Sequence, residues 1–269
     1  MIHRLLHLPA VAMLLGATAA AVADPAAPDS AVHGRVEAGL GYAALNGGNR
    51  NWNDEYVRGH VGLKPGTTLN WDLASQSHFG QRGTVGALSL TQDLSPIWYM
   101  GVGASSGSAG FHNKYRADLS LYRKWTDTQQ WVTGLALMKS ASRDGIHRDT
   151  GVTASLAYYS TQAWVAEGGV VYNRSSPGSV DGFRGYGAIT LGTEKQHYFV
   201  ARIDHGKEAY LPLGAMAGGG NHVGFQSTEL TLQWRQWLAR DWGYTIGGQL
   251  YRNPYYRRVG VTAAVFLDF

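Results

Sequence analysis

The end of the chain, Arg258 to Phe269, alternates between two kinds of side chain. One register holds Val259, Val261, Ala263, Val265, Leu267 and Phe269. The other holds Arg258, Gly260, Thr262, Ala264, Phe266 and Asp268. Successive side chains of a strand point to opposite faces, so this is a strand with one apolar and one wet face. Phe266 is the one exception on the wet side. In water, such an apolar face needs a second layer to cover it. In a bilayer it does not: lipid covers the outside of a closed barrel, and the lumen accepts polar groups.

The alternation recurs along the chain. Val36, Ala38, Leu40 and Tyr42 oppose Arg35, Glu37, Gly39 and Gly41, and Val57, Val61 and Leu63 oppose Tyr56, Arg58 and His60. Leu69, Trp71 and Leu73 oppose Asn70, Asp72 and Ala74, and Ala117, Leu119 and Leu121 oppose Arg116, Asp118 and Tyr122. Further on, Val152, Leu156 and Tyr158 oppose Thr153, Ser155 and Tyr159, and Leu230, Leu232 and Trp234 oppose Glu229, Thr231 and Arg235. Gly, Pro, Asn and Asp punctuate the segments, as turns require. The pattern predicts about 14 strands, an even number as bacterial outer-membrane barrels have, with 12 or 16 as the neighbouring counts.

Connections at Pro65-Gly66, Ser95-Pro96, Thr126-Asp127, Thr161, Glu194 and Arg240-Asp241 are short. Those at 46–54, 143–148, 175–182 and 208–223 are mostly longer. Short periplasmic turns and longer extracellular loops are the expected asymmetry, and they place both ends of the barrel in the periplasm. The fold class is therefore all-β: a single antiparallel transmembrane β-barrel over residues 33–269. A soluble sandwich or propeller is the competing architecture. Against it stand aromatic residues at the ends of the apolar faces (Tyr42, Trp71, Trp98, Tyr158, Trp164, Tyr172, Trp234, Trp242, Tyr244), which suit two interfacial girdles.

Before the first strand, His3 and Arg4 precede a mostly apolar run to Ala23 that ends in Ala21-Val22-Ala23. This reads as a signal peptide over 1–23, cleaved after Ala23, and directs the chain to the bacterial outer membrane. Residues 24–32, with two prolines, read as a loose periplasmic lead-in. The chain has no cysteine, which removes disulfide and thiol chemistry. A net charge of +4 without a basic run argues against a nucleic-acid partner.

Gly41-Tyr42 with Gly48-Asn49-Arg50-Asn51, and the stretch from Ser227 to Leu232 through Leu250-Tyr251 to Phe269, resemble the YaiO family of outer-membrane β-barrels. That family's barrel is similar to the C-terminal barrels of some exopolysaccharide exporters, in which helical repeats precede the barrel. The resemblance implies a role in export of a surface polysaccharide. Here only 24–32 lie before the first strand, so a partner protein in the periplasm or inner membrane is expected to supply that scaffold.

The wet face nominates a lumen lining: Arg35, Glu37, Arg58, His60, Asp72, Arg116, Asp118, Tyr122, Tyr159, Glu167, Arg184, Tyr186, Arg202, Asp204, Glu229, Arg235 and Arg258. Two readings fit them. One is a salt-bridged, hydrated lumen of the kind any barrel needs. The other is a polar conduit for a hydrophilic polymer, in which Tyr56, Tyr122, Tyr159, Tyr186 and Tyr251 stack on sugar rings. Outer-membrane lipid is the expected surroundings.

An enzyme is the alternative from another class: a lipase or acyltransferase acting on lipid. A purely structural, surface-contact barrel is a third reading, suited by the long 208–223 loop. Ser77 and His78 are adjacent and so point to opposite faces of a strand. His60 and His78 with Asp72 lack metal-ligand spacing. His147, His205 and His222 fall in or near outer loops with Asp144, Asp204 and Ser227, and nothing in the spacing fixes their geometry. A solvated or hydrogen-bonded histidine accounts for each. No catalytic residue, cofactor or metal ligand is expected.

Overall fold

A computed structural model describes residues 33–210 and 223–269. The expected signal peptide, the lead-in, His222 and most of the 208–223 loop lie outside the described residues. The chain forms β1 (His33–Leu45), β2 (Trp52–Lys64), β3 (Thr67–His78), β4 (Gln81–Asp93), β5 (Trp98–Gly107), β6 (Asn113–Trp125) and β7 (Trp131–Ser142). It continues with β8 (Arg148–Tyr159), β9 (Trp164–Ser176), β10 (Val180–Thr193), β11 (His197–Tyr210), β12 (Val223–Trp237), β13 (Trp242–Arg252) and β14 (Arg257–Asp268). Each strand pairs antiparallel with the next, and β1 pairs with β14, so the sheet closes into a barrel. Closure leaves no unpaired edge, the condition for β structure inside a bilayer.

The alternation in the sequence becomes inside and outside. Leu40, Val261 and Leu88 are 64%, 60% and 59% exposed, as lipid-facing residues must be when lipid is the solvent. Phe266, the residue that broke the pattern, is 1% exposed. It packs edge-on against Trp237 and lies across the wall from Gly243, where a Cβ would sit 2.7 Å from its ring. An aromatic ring on the wet face is thus accommodated by a glycine beneath it.

Followed once round the wall, the pairings accumulate a stagger of about 14 residues, or about one per strand. Equal strand number and shear gives a tilt of about 36° and a backbone diameter of about 26 Å. Corrected for that stagger, the outward-facing Trp98, Trp125, Trp131, Trp164 and Trp242 share one level near the end that holds His33 and Phe269. The outward Tyr42, Tyr115, Tyr172 and Phe183 share another. The two girdles stand roughly nine residues apart, about 24 Å along the axis, which matches the apolar band of an outer-membrane barrel.

The connections at the two ends differ less in length than the sequence suggests. Residues 65–66, 94–97, 126–130, 160–163, 194–196 and 238–241 connect strands at the end that holds the termini. At the other end, the strands run further than expected and shorten the loops: 79–80 alone joins β3 to β4, and 177–179 joins β9 to β10. The difference is carried by 46–51 and by the connection between Tyr210 and Val223.

Candidate functional site in the lumen

Every residue nominated for the lumen sits on the inward register. Around the wall, Glu37 faces Arg58, Arg58 faces Asp72, Asp118 faces Met138, and Glu167 faces Ala188. Further round, Ala188 faces Arg202, Asp204 faces Glu229, and Glu229 faces Tyr251, which faces Arg258. The structure sorts these residues into separate groups.

Near the periplasmic end, Glu37 is the hub. One carboxylate oxygen accepts from Nε and Nη2 of Arg58 at 2.8 and 2.5 Å. The other accepts from Arg235 at 2.5 Å and from the Thr245 hydroxyl at 3.2 Å. Glu37 is 2% exposed, so its charge is held by two guanidiniums rather than by bulk water. Below it, Asp268 accepts from Arg35 Nε at 2.5 Å, Lys195 at 2.5 Å and the Trp237 indole at 2.8 Å. The Arg35 guanidinium lies over the Trp237 and Phe266 rings. His60 faces Asn70 on β3 and stands near this group.

Three tyrosines repeat one device. Tyr56 lies opposite Gly39, Tyr122 opposite Gly134 and Tyr186 opposite Gly169. A Cβ at each glycine would fall 2.4–2.6 Å from the tyrosine ring, so only glycine lets the ring lie flat on the wall. Cations top two of the rings: Arg58 lies 4.8 Å above Tyr56 and Arg202 lies 4.1 Å above Tyr186. Tyr122 is itself stacked on Tyr99 at 4.6 Å and 9°. Tyr186 donates to Glu167 at 2.7 Å. Arg116 with Asp118, and Arg202 with Asp204, form forked pairs two residues apart on one strand, which the two-residue period puts on the same face.

At the outer mouth, Glu208 accepts from Arg184, Ser227 and Tyr251, and Glu229 accepts from Gln249 and from Arg258 at 3.3 Å. Across the mouth, Asp54 meets His78 at 2.7 Å, and the His78 ring is sandwiched between Trp52 at 4.0 Å and Phe111 at 4.9 Å. His112 accepts from the Ala109 amide at 3.1 Å and its other nitrogen meets the Gln76 oxygen at 3.0 Å. Burial pushes the His112 imidazole below the ordinary histidine range, and His78 and Arg143 add to the effect. Tyr256, in the connection 253–256, is 2% exposed, and burial raises its phenol.

The histidines that pointed to an enzyme are dispersed. Ser77 faces outward with Arg82 and Asn53, while His78 faces the lumen. His60 is paired to Asn70, about 26 Å along β3 from His78. His205 projects from the outer wall and meets the Thr228 hydroxyl at 2.8 Å, while Asp204 and Ser227 project inward. His147 pairs with Asp144 at 2.5 Å within the loop 143–147. Asp144 also accepts from the backbone amides of Ile146 and His147. Burial raises the Asp144 carboxyl, but these hydrogen bonds outweigh it and hold it below the usual range. Among the described residues, no group of three or more His, Cys, Asp or Glu is placed to hold a metal ion.

A charged, tyrosine-lined interior inside a closed fourteen-strand wall is the architecture of an outer-membrane barrel, and comparison with known proteins narrows it. The model of the YaiO membrane beta barrel domain matches residues 33–211. The chain belongs to the YaiO family. That match contains the Gly41-Tyr42 and 48–51 segments on which the resemblance rested at one end. No protein among those with curated descriptions matches. Among solved structures, the CymD monoaromatic hydrocarbon channel is similar at a TM-score of 0.52 and 7% identity over 88% of this chain and 87% of that one. Omp33 of Acinetobacter baumannii gives 0.51 and 8% over 86% and 97%. A bacterial polysaccharide outer membrane secretin gives 0.50 and 11% over 88% and 98%. These likenesses are likenesses of fold: a porin-like outer-membrane β-barrel.

Several lumen residues escaped the sequence reading. Trp52, Tyr99, Glu208, Phe225 and Trp237 all point inward. Each sits near a strand end, where an aromatic or charged residue reads equally well as girdle or turn. Tracing the two-residue period back from the strand centre recovers them. Phe111 and His112 have no such signal, because the loop that holds them folds over the mouth.

Proposed function

We propose that this barrel is a conduit, or an accessory to one, for export of a surface polysaccharide across the outer membrane. A periplasmic or inner-membrane partner delivers the polymer, and a signal peptide cleaved after Ala23 directs the chain toward its membrane. The observation that supports this reading best is the division of the lumen into two unlike walls. β4, β5, β7 and β8 turn small residues inward (Ser89, Gly101, Ser105, Ala136, Thr153, Ser155), and solvent reaches all of them. Tyr99, Tyr122 and the Arg116–Asp118 pair stand beside that strip on β5 and β6, and the other ring and charge groups stand opposite on β1, β2 and β9 to β12. A track of flat rings and paired charges beside an open strip suits a neutral or weakly charged hydrated chain. Rings stack on sugar faces, and the forked Arg/Asp pairs offer hydrogen bonds without a strong net field.

The test is blockade of the pore by soluble polysaccharides in planar bilayers, compared between wild type and Tyr99→Ala/Tyr122→Ala/Tyr186→Ala. Polymer blockades in the wild type, shortened at least about tenfold in the variant, are expected if each ring contributes about 1 kcal/mol of stacking. Identical dwell times in both proteins would remove the tyrosines from any polymer track.

A further inference from the structure

The outer face of the barrel carries a second, unlike charge pattern. At the level of the outer aromatic girdle or just beyond it, Lys139, Arg148, Arg174 and Lys207 project from the outward register of β7, β8, β9 and β11. Lys139 and Arg174 both lie directly across from Thr150, which stands between them on β8. Their Cα atoms are thus about 10 Å apart, and Arg148 is two residues further out on the middle strand. Side chains of that length can reach one point above the Thr150 hydroxyl. Among the described residues none of these four cations makes an ion pair. The one acid beside them, Asp181, accepts from Tyr172 at 2.7 Å. At that depth, lipid phosphates are the natural partners of cations that have no carboxylate of their own.

A groove continues from the same sector toward the membrane centre. It has a volume of about 710 Å³, and its side chains Phe183, Ile203, His205 and Lys207 belong to the outward register of β10 and β11. Its floor at Gly187 is open: a Cβ there would meet nothing within 4 Å. The protein's own packing therefore leaves that place free for another molecule.

We propose that β7 to β11 form a binding site for a phosphorylated glycolipid of the outer leaflet. Lys139, Arg148 and Arg174 hold its phosphate, with Lys207 at the mouth of the groove, and one acyl chain lies along Phe183 and Ile203. The girdle residues Tyr172 and Phe183 set the depth, since they mark where headgroups begin. The site is independent of the lumen and of what the lumen carries.

The test is native mass spectrometry of the full-length mature barrel refolded in detergent with diphosphoryl lipid A, with the same lipid dephosphorylated, or with phosphatidylglycerol. The wild type is expected to retain diphosphoryl lipid A at least tenfold better than the other two. Lys139→Gln/Arg148→Gln/Arg174→Gln is expected to lose that preference. Gly187→Leu fills the groove from the lipid side while leaving the cations in place, and is expected to weaken retention several-fold with the folded barrel intact. Equal retention of all three lipids by the wild type, or unchanged retention in Gly187→Leu, overturns the site. The wild-type comparison and Gly187→Leu decide the matter even if the triple variant fails to fold.

Discussion

At the scale of single residues, the lumen is organised by a few acids that each gather several donors. Glu37 serves Arg58, Arg235 and Thr245 at once. Removing its charge leaves two guanidiniums facing each other in a partly dehydrated corner. Glu37→Gln is expected to cost about 2–4 kcal/mol, below the full cost of breaking a dry pair because water reaches Arg58. Urea unfolding in lipid vesicles measures it; a change within about 0.5 kcal/mol would show that the hub is solvated. His112 gives a pH signature at the mouth. Its folded pKa is depressed, chiefly by burial, and its neutral form accepts from Ala109. Its contribution to stability is therefore complete above the ordinary histidine pKa of about 6.5 and is lost as pH falls below that value, because the unfolded loop binds a proton the folded loop excludes. Proteolysis of the 108–112 connection is expected to accelerate between about pH 7.5 and 5.5 in the wild type and to change less in His112→Gln.

At the scale of elements, the repeating unit is a tyrosine laid on a cross-strand glycine. Gly134→Ala puts a Cβ 2.6 Å from the Tyr122 ring and 2.6 Å from the Ser155 hydroxyl. It is expected to destabilise by about 1–3 kcal/mol. In the Tyr122→Ala background, the ring's share of that cost is expected to vanish while the Ser155 share stays, so a double-mutant cycle reads the ring's coupling directly. Additive effects would mean that the ring does not rest on Gly134. This unit also marks where the sequence is legible and where it is not. Alternation alone places Tyr56, Tyr122 and Tyr186 on the wet face, because a two-residue period leaves no freedom once one strand residue is assigned. It does not pair each tyrosine with its glycine, since that depends on register between strands, and register is set by turn geometry and by bulges such as that between Gly62 and Lys64. The same limit explains the loops. Ser175, Ser176 and Val180 fall in a stretch that reads as loop, yet they remain paired. The Trp52–His78–Phe111 stack joins residues from β2, β3 and the loop after β5, contacts that no local pattern announces.

At the scale of the whole molecule, the barrel has three regions that differ in what they exclude. The outer wall excludes water between two aromatic girdles. The periplasmic corner of the lumen is filled by Glu37, Trp237 and Phe266, which are 2%, 5% and 1% exposed. The strip of small residues on β4, β5, β7 and β8 stays open to solvent. A diameter of about 26 Å leaves room for a solvated path along that strip even with the opposite wall filled. Single-channel conductance of the purified barrel in planar bilayers tests this most directly. A steady ohmic conductance at low voltage, interrupted by added polysaccharide, is the predicted result. A barrel that stays closed to ions under every condition, while folded and inserted, would contradict the conduit.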